Sequence, residues 1–420
     1  MEQWTKISLI LCIFGFLKEI RPSEPFMYDF LSGPWRNVTG EQVIKEVYPI
    51  STYSNMIWLV IIFLVTDICR YKPLIVILGL SGMVVFAMLL WTSSLLELQI
   101  LEVFYGLFLA AEVAYYTYIY AKVDSEHYQK VTSHTRGAIL AGRATSGICS
   151  QILITTETLN YRELNYITFS TVTAATIWGV FLPSVDKSIY FHSKDSKALP
   201  LSDKIISAFA MMRSHFVDAY TNLHVAKWST WWALSACGYV QVETYMQALY
   251  SAIQNSEEDP YNGAVEATLT LLGFLVALLA GYLKIDWKIK GEVTLALFSL
   301  IQGVLIVIIS QTSYIFLCYA FYVVFAILYH FMVTIASAQV AKVIDEDSYG
   351  LIFGINTFFA LVLNSIMTSV VATKGVGFAL DPRDQYVVYG SYHLGISLIF
   401  VIMGVRTCVV NRKKKNNEKV

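Results

Sequence analysis

The stretch LFLAAEVAYYTYIYAK, residues 107–122, is apolar and aromatic over a length suited to a bilayer, yet it carries one carboxylate, Glu112, near its middle. An ionised side chain at the bilayer centre costs about 2.5–3.5 kcal/mol on insertion scales, so such a group is expected to face a cavity or a partner. The whole chain has the same character: 56% of its 420 residues are hydrophobic, 15% are charged, and mean hydropathy is +0.55. A water-soluble domain rarely has this composition. The apolar residues come in runs of about twenty, the thickness of a hydrocarbon core. The expected class is therefore an all-α, multi-pass membrane protein with the lipid bilayer as its surroundings.

Hydropathy predicts twelve spans, near 7–29, 53–68, 74–91, 98–121, 137–155, 165–182, 229–250, 263–283, 291–310, 314–338, 349–372 and 386–405. With a cytoplasmic N-terminus, cytoplasmic segments hold 22 of the 30 Lys and Arg, outer segments five, and the spans three, namely Lys18, Arg21 and Arg143. This asymmetry predicts both termini in the cytoplasm, and a plasma-membrane location is expected. The one Asn-x-Ser/Thr acceptor, Asn37-Val38-Thr39, falls in the first predicted outer loop, where Asn37 is a candidate glycosylation site. The first apolar run continues through KEIRPSEP (18–25) instead of a small-residue cleavage site, and is read as a span. The six cysteines show no C-x-x-C spacing, so neither a disulfide framework nor a zinc site is expected.

The longest polar stretch divides the spans six and six, giving an N-terminal bundle (1–182), a cytoplasmic linker (183–228), a C-terminal bundle (229–405) and a basic tail (406–420). TDICRYKP (66–73) and GYLKIDWK (281–288) join corresponding spans of the halves, a faint internal repeat. A 6+6 plan is that of major-facilitator transporters, with the substrate site near the midplane between halves. Spans one, four, seven and ten line the cavity in that plan, and each carries an unusual polar group: Glu24, Glu112, Glu243 and His330. Tyr115 and Tyr116 follow Glu112 at i+3 and i+4, and a carboxylate beside rings suits an organic cation.

Each of these residues also has a structural alternative. Arg143 is a candidate to neutralise Glu112 within the first bundle. Glu24 lies in RPSEPF (21–26), where two prolines free backbone carbonyls, and can pair with Arg21 or cap the broken helix. Glu243 is equally a rim residue, and His330 either carries a proton or hydrogen-bonds in the core. The H-E-x-x-H, G-x-S-x-G and P-loop patterns are missing from any usable context, so an enzyme is not expected, and no selectivity filter supports a channel. No cofactor and no nucleic-acid partner are expected.

The segments RPSEPF (21–26), GPWRNVT (33–39), TDICRYKP (66–73), FYGLFLAAEVAYY (104–116), EHYQKV (126–131), WSTWWA (228–233), YNGAVEA (261–267), FGINTFFALV (353–362) and VYGSY (388–392) resemble the reduced folate and thiamine carrier family, nearly end to end. The resemblance implies a major-facilitator fold and vitamin transport. Thiamine carriers have an acid at the place of Glu112, whereas folate carriers have an arginine there, and two further basic positions of the folate carriers correspond to Ala326 and Asn364. The resemblance thus implies that Glu24, Glu112 and Tyr115 bind substrate, with cationic thiamine favoured and folate as the alternative. Three positions depart from the thiamine carriers: Ser51 in YPIST (48–52) replaces a tryptophan, Thr244 an asparagine near the pyrimidine, and Arg143 an uncharged residue. Uptake driven by protons, an exchanged anion or the membrane potential stays open at this point.

Overall fold

Prolines and capping side chains set where the helices start. A computed structural model describes residues 2–185, 201–254, 260–282, 287–344 and 348–417, and their extended regular elements are helices. The first half comprises α1 (Gln3–Glu19), α2 (Met27–Leu31), α3 (Gly40–Gln42), α4 (Tyr48–Ile68), α5 (Lys72–Trp91), α6 (Leu95–Lys122), α7 (Tyr128–Thr155) and α8 (Tyr161–Val180). Helix α9 (Leu201–Thr221) follows, and the second half is α10 (Leu223–Ile253), α11 (Asn262–Tyr282), α12 (Trp287–Gln311), α13 (Ile315–Ala341), α14 (Tyr349–Val371) and α15 (Pro382–Asn417). Helices α6 and α8 open on capping boxes, Ser94 with Glu97 and Asn160 with Glu163. Pro49 and Pro73 sit in the first turns of α4 and α5, where a missing N–H leaves no bond unmade.

Nine helices among the described residues are long and apolar enough to cross a membrane. Helices α1, α8 and α10 fall outside that test, α1 because it has only 17 residues and the others because polar and aromatic side chains lower their hydropathy. All three pack within the bundle nonetheless, α1 on α7 and α8, and α10 on α13, α14 and α15, completing six helices in each half.

The boundaries differ from expectation in four places. The first span is broken, with α1 ending at Glu19 and the chain resuming as a short 3₁₀ turn, Glu24–Phe26, before α2. The second is longer than predicted, running from Gly40 to Thr66, because buried Val43, Ile44 and Val47 continue the apolar face through residues that read as polar. The segment 183–228 contains helix α9 and the start of α10, while its residues 186–200 lie outside the described residues, as do 283–286 of the second repeat loop. The tail from 406 is also not separate from its span, since α15 continues to Asn417.

Helix direction sorts the loops onto two ends, one carrying Asn37 and the other α9. The halves meet along α7 with α11 and α4 with α14. At the Asn37 end, Gly147 and Gly263 permit the first contact: a Cβ on Gly147 would lie 2.7 Å from the Gly263 carbonyl oxygen. At the α9 end, Ala208 and Met212 of α9 cluster with Leu351, Phe63 and Ile355, and the Tyr220 hydroxyl donates to Asn356 Oδ1 at 2.7 Å.

Candidate functional site

Between the halves lies a cavity of about 430 Å³, within the size range of small-molecule sites. Its lining includes six carboxylates, Glu19, Glu24, Glu102, Glu112, Glu243 and Glu266, but only two bases, Arg21 and Arg143. Tyr48, Tyr105, Tyr250 and Tyr322 supply rings, and Ser51, Thr244, Gln247, Asn262 and Asn364 supply neutral polar groups.

One wall is a network centred on the fully buried carboxylate of Glu19. Lys18 donates to Glu19 Oε1 at 2.5 Å, while Arg21 Nη2 and Arg143 Nε both donate to Oε2 at 2.9 Å. Lys18 also pairs with Glu112, and Arg21 Nη1 donates to Glu24 at 2.5 Å. Three cations and three acids are thus mutually compensated, as buried charges must be. Glu102, Glu243 and Glu266 differ, because none of them enters an ion pair among the described residues. The cavity is therefore acidic chiefly on the wall formed by these three residues from α6, α10 and α11.

Of the residues singled out from the sequence, Glu24, Glu112, Arg143, Glu243, Thr244 and Asn364 all line this cavity, as does Ser51. Arg143 reaches it, but its partner is Glu19 of α1 and not Glu112. The expected Glu112–Arg143 pair is thus corrected to Glu112–Lys18. Tyr115 is also corrected: it is completely buried among core residues and its hydroxyl donates to the Leu11 carbonyl at 2.8 Å, tying α6 to α1. Tyr116, 37% exposed, lies beyond the lining and meets the edge of Tyr115. His330 stands behind the cavity wall, bonded to Tyr239, and Ala326 is buried core. Asn37 is exposed, while Thr39 of the same triplet caps α3. Sequence reasoning did not place Lys18, Glu19, Glu102 or Glu266 at the site; a charge near the middle of a predicted span is the signal that would have found the first two, whereas Glu102 and Glu266 lie near the starts of theirs.

Three sets of contacts close the Asn37 end over the cavity. Gln247 of α10 reaches into the break between α1 and α2, donating to the Glu24 carbonyl at 2.8 Å and accepting from the Tyr28 amide at 3.0 Å. The same amide logic recurs where Gln151 of α7 donates to the Pro260 carbonyl at 3.1 Å and accepts from the Ala264 amide at 3.0 Å. Beside α4 and α14, Lys374 pairs with Glu46 at 3.0 Å, Lys45 with Asp381 at 3.3 Å, and Tyr53 shares a 2.7 Å hydrogen bond with Thr373. Replacing Gln247 by Leu strands two backbone groups, at about 1–3 kcal/mol. A cysteine at Thr244 should then react at least about fivefold faster with an impermeant thiol reagent added at the Asn37 end, and an unchanged rate would show that Gln247 does not hold this end shut.

Residues 2–205 and 194–388 match the profile described as reduced folate carrier. Mouse thiamine transporter 1 is 36% identical over 463 residues, covering 99% of this chain and 93% of its own. Folate transporter 1 of Caenorhabditis elegans is 38% identical over 414 residues, covering 94% of this chain and 91% of its own. Among solved structures, the POT family transporter PepTSo superposes with a TM-score of 0.69 at 11% identity, covering 97% of this chain and 99% of its own. The nucleoside transporter NupG gives 0.62 at 13% identity, covering 94% and 98%. These two similarities show the fold.

Proposed function

Because this chain belongs to the reduced folate carrier family, we propose that it carries a vitamin across the plasma membrane by alternating access, with thiamine or a similar organic cation as cargo. The acidity of the cavity is the observation that carries this reading: six carboxylates face two arginines, and three of the six have no basic partner among the described residues. A divalent folate anion would meet that unpaired acid, whereas a thiazolium ring would be attracted by it and stacked on tyrosines. Relatives named for thiamine and for folate transport both occur at similar identity, so the cavity charge is the discriminating argument.

In this proposal, residues 1–182 and 229–405 rock about the midplane site and the termini face the cytoplasm, as the distribution of Lys and Arg suggests. The closed Asn37 end is then the outer side. A +1 cargo gains about 2.3 kcal/mol per 100 mV of inside-negative potential. Uptake of radiolabelled thiamine, folate and a reduced folate, in cells lacking their own carriers and with surface expression measured, tests the reading. Saturable thiamine uptake competed by other organic cations is expected, and folate uptake without thiamine uptake would overturn it.

A further inference from the structure

Helix α9 packs on the bundle along one narrow strip, through Ala208, Met212 and Ala219. Beside that strip five large apolar side chains, Ile205, Ile206, Phe209, Phe216 and Val217, are 38–67% exposed. The exposed polar side chains Asp203, Ser207, Ser214 and Asp218 lie elsewhere on the helix. At 3.6 residues per turn the three sets occupy separate sectors, in the order bundle, apolar, polar. Helix α9 thus has a second apolar face, uncovered among the described residues, and a contiguous exposed patch of this kind marks an interaction surface. Its depth identifies the neighbour. Ala208 and Met212 meet Phe63 of α4 and Leu351 and Ile355 of α14, which lie within about two turns of the ends of the apolar spans Gly40–Thr66 and Tyr349–Val371. Ile57, Val60 and Ile61 of the same span of α4 are exposed apolar side chains, so α9 adjoins a helix whose outer surface is already turned to acyl chains. Arg213 is exposed in the middle of the apolar sector and enters no ion pair among the described residues.

We propose that α9 is docked in the bilayer leaflet at its end of the protein through Ile206, Phe209, Phe216 and Val217, with the Arg213 guanidinium on the phosphates of anionic lipids. An in-plane amphipathic helix sinks its apolar face about 5–10 Å into the boundary between headgroups and acyl chains, and the contacts with Phe63 and Leu351 place α9 at that level. An arginine among apolar side chains lays its methylenes along them and extends its charge to the headgroups. One base near an anionic surface shifts the ratio of docked to undocked helix about fivefold. Arg70, exposed just beyond α4, adds positive charge at the same end, while Asp203 and Asp218 lie in the polar sector, away from the lipid. Phe63 belongs to the first half, and Leu351 and Ile355 to the second. The docked helix is therefore a strap across the α4–α14 seam, held from outside by lipid. This docking is independent of the cargo that the cavity takes.

The test uses the full chain in phosphatidylcholine nanodiscs, its own cysteines replaced by alanine and one cysteine introduced for a bimane label. Phe209→Cys reports the apolar sector and Ser214→Cys the polar one, with Ile206→Cys as a second apolar position should Phe209→Cys not fold. A nitroxide on the upper acyl chain of the lipid is expected to quench the label at 209 at least about threefold more than at 214, and iodide in the water to show the reverse order. Exchanging about 30% of the lipid for phosphatidylserine should raise the lipid quenching at 209, and Arg213→Gln should remove that rise. Equal lipid quenching at the two positions overturns the docking. Quenching at 209 by iodide and not by lipid also overturns it, and would leave the face open to a soluble protein partner. Lipid quenching that ignores both phosphatidylserine and Arg213→Gln overturns the assignment of anionic lipid as the occupant.

Discussion

Glu19→Gln abolishes folded carrier at the cell surface, the largest effect expected of any single substitution here. Its carboxylate is fully buried and holds Lys18, Arg21 and Arg143 at 2.5–2.9 Å. A neutral amide leaves buried Lys18 and Arg21, and half-buried Arg143, with only Glu24 and Glu112 to compensate them. Breaking one buried pair costs about 3–5 kcal/mol, comparable with the whole stability of many domains. Removing one of the stranded cations as well, in Glu19→Gln/Arg143→Gln, should recover part of the yield. Glu112→Gln is the internal control: Lys18 keeps its 2.5 Å bond to Glu19, so that variant should reach the surface. Fluorescence size-exclusion chromatography and surface biotinylation read all three, and a Glu19→Gln protein with normal yield would refute the central role of this carboxylate.

Glu266→Gln raises the half-saturating thiamine concentration by roughly ten- to a hundredfold without changing protein yield, the second large effect. The removed contact is of the charge-assisted kind, about 1.5–3 kcal/mol, and no cation of the protein is stranded because Glu266 enters no ion pair among the described residues. Glu243→Gln should show a similar loss of affinity, because Glu243 likewise enters no ion pair among the described residues. The combined variant should take up a cation no better than untransfected cells. Concentration dependence of uptake, normalised to surface protein, checks these outcomes. Unchanged thiamine affinity in both single variants would move the cation to Glu112 and Glu24, where Lys18 and Arg21 now sit.

The helical plan was legible because membrane spans follow from length and hydropathy alone, and a charge in an apolar run stands out. That is how Glu112, Glu243 and Glu24 came into view. Glu102 and Glu266 were not legible because each lies near the start of an apolar run, where an interfacial position is equally consistent; their depth depends on where α6 and α11 begin. Tyr115 misled for a different reason. Positions i+3 and i+4 both neighbour Glu112 along a helix, yet they point about 100° apart, and only the packing of α1 decides which one is buried. The partner of Arg143 was equally out of reach, since Glu19 lies 124 positions away on another helix. The early start of α4 went unseen because Pro49 reads as a breaker, although in a first turn it is tolerated.

The closure of the Asn37 end is chemically uneven, and this sets how it responds to the medium. Two of its edges are clasped by neutral amides, Gln247 on the break after α1 and Gln151 on the start of α11. The third, beside α4 and α14, adds to the neutral Tyr53–Thr373 bond the ion pairs Lys374–Glu46 and Lys45–Asp381, whose side chains are partly solvent-exposed. Mobile ions shorten the reach of exposed charges to about 10 Å at 0.1 M and 3 Å at 1 M, while leaving amide contacts almost untouched. Ionic strength therefore acts on one side of the rim alone, making it the hinge edge that brine loosens while the other two stay latched.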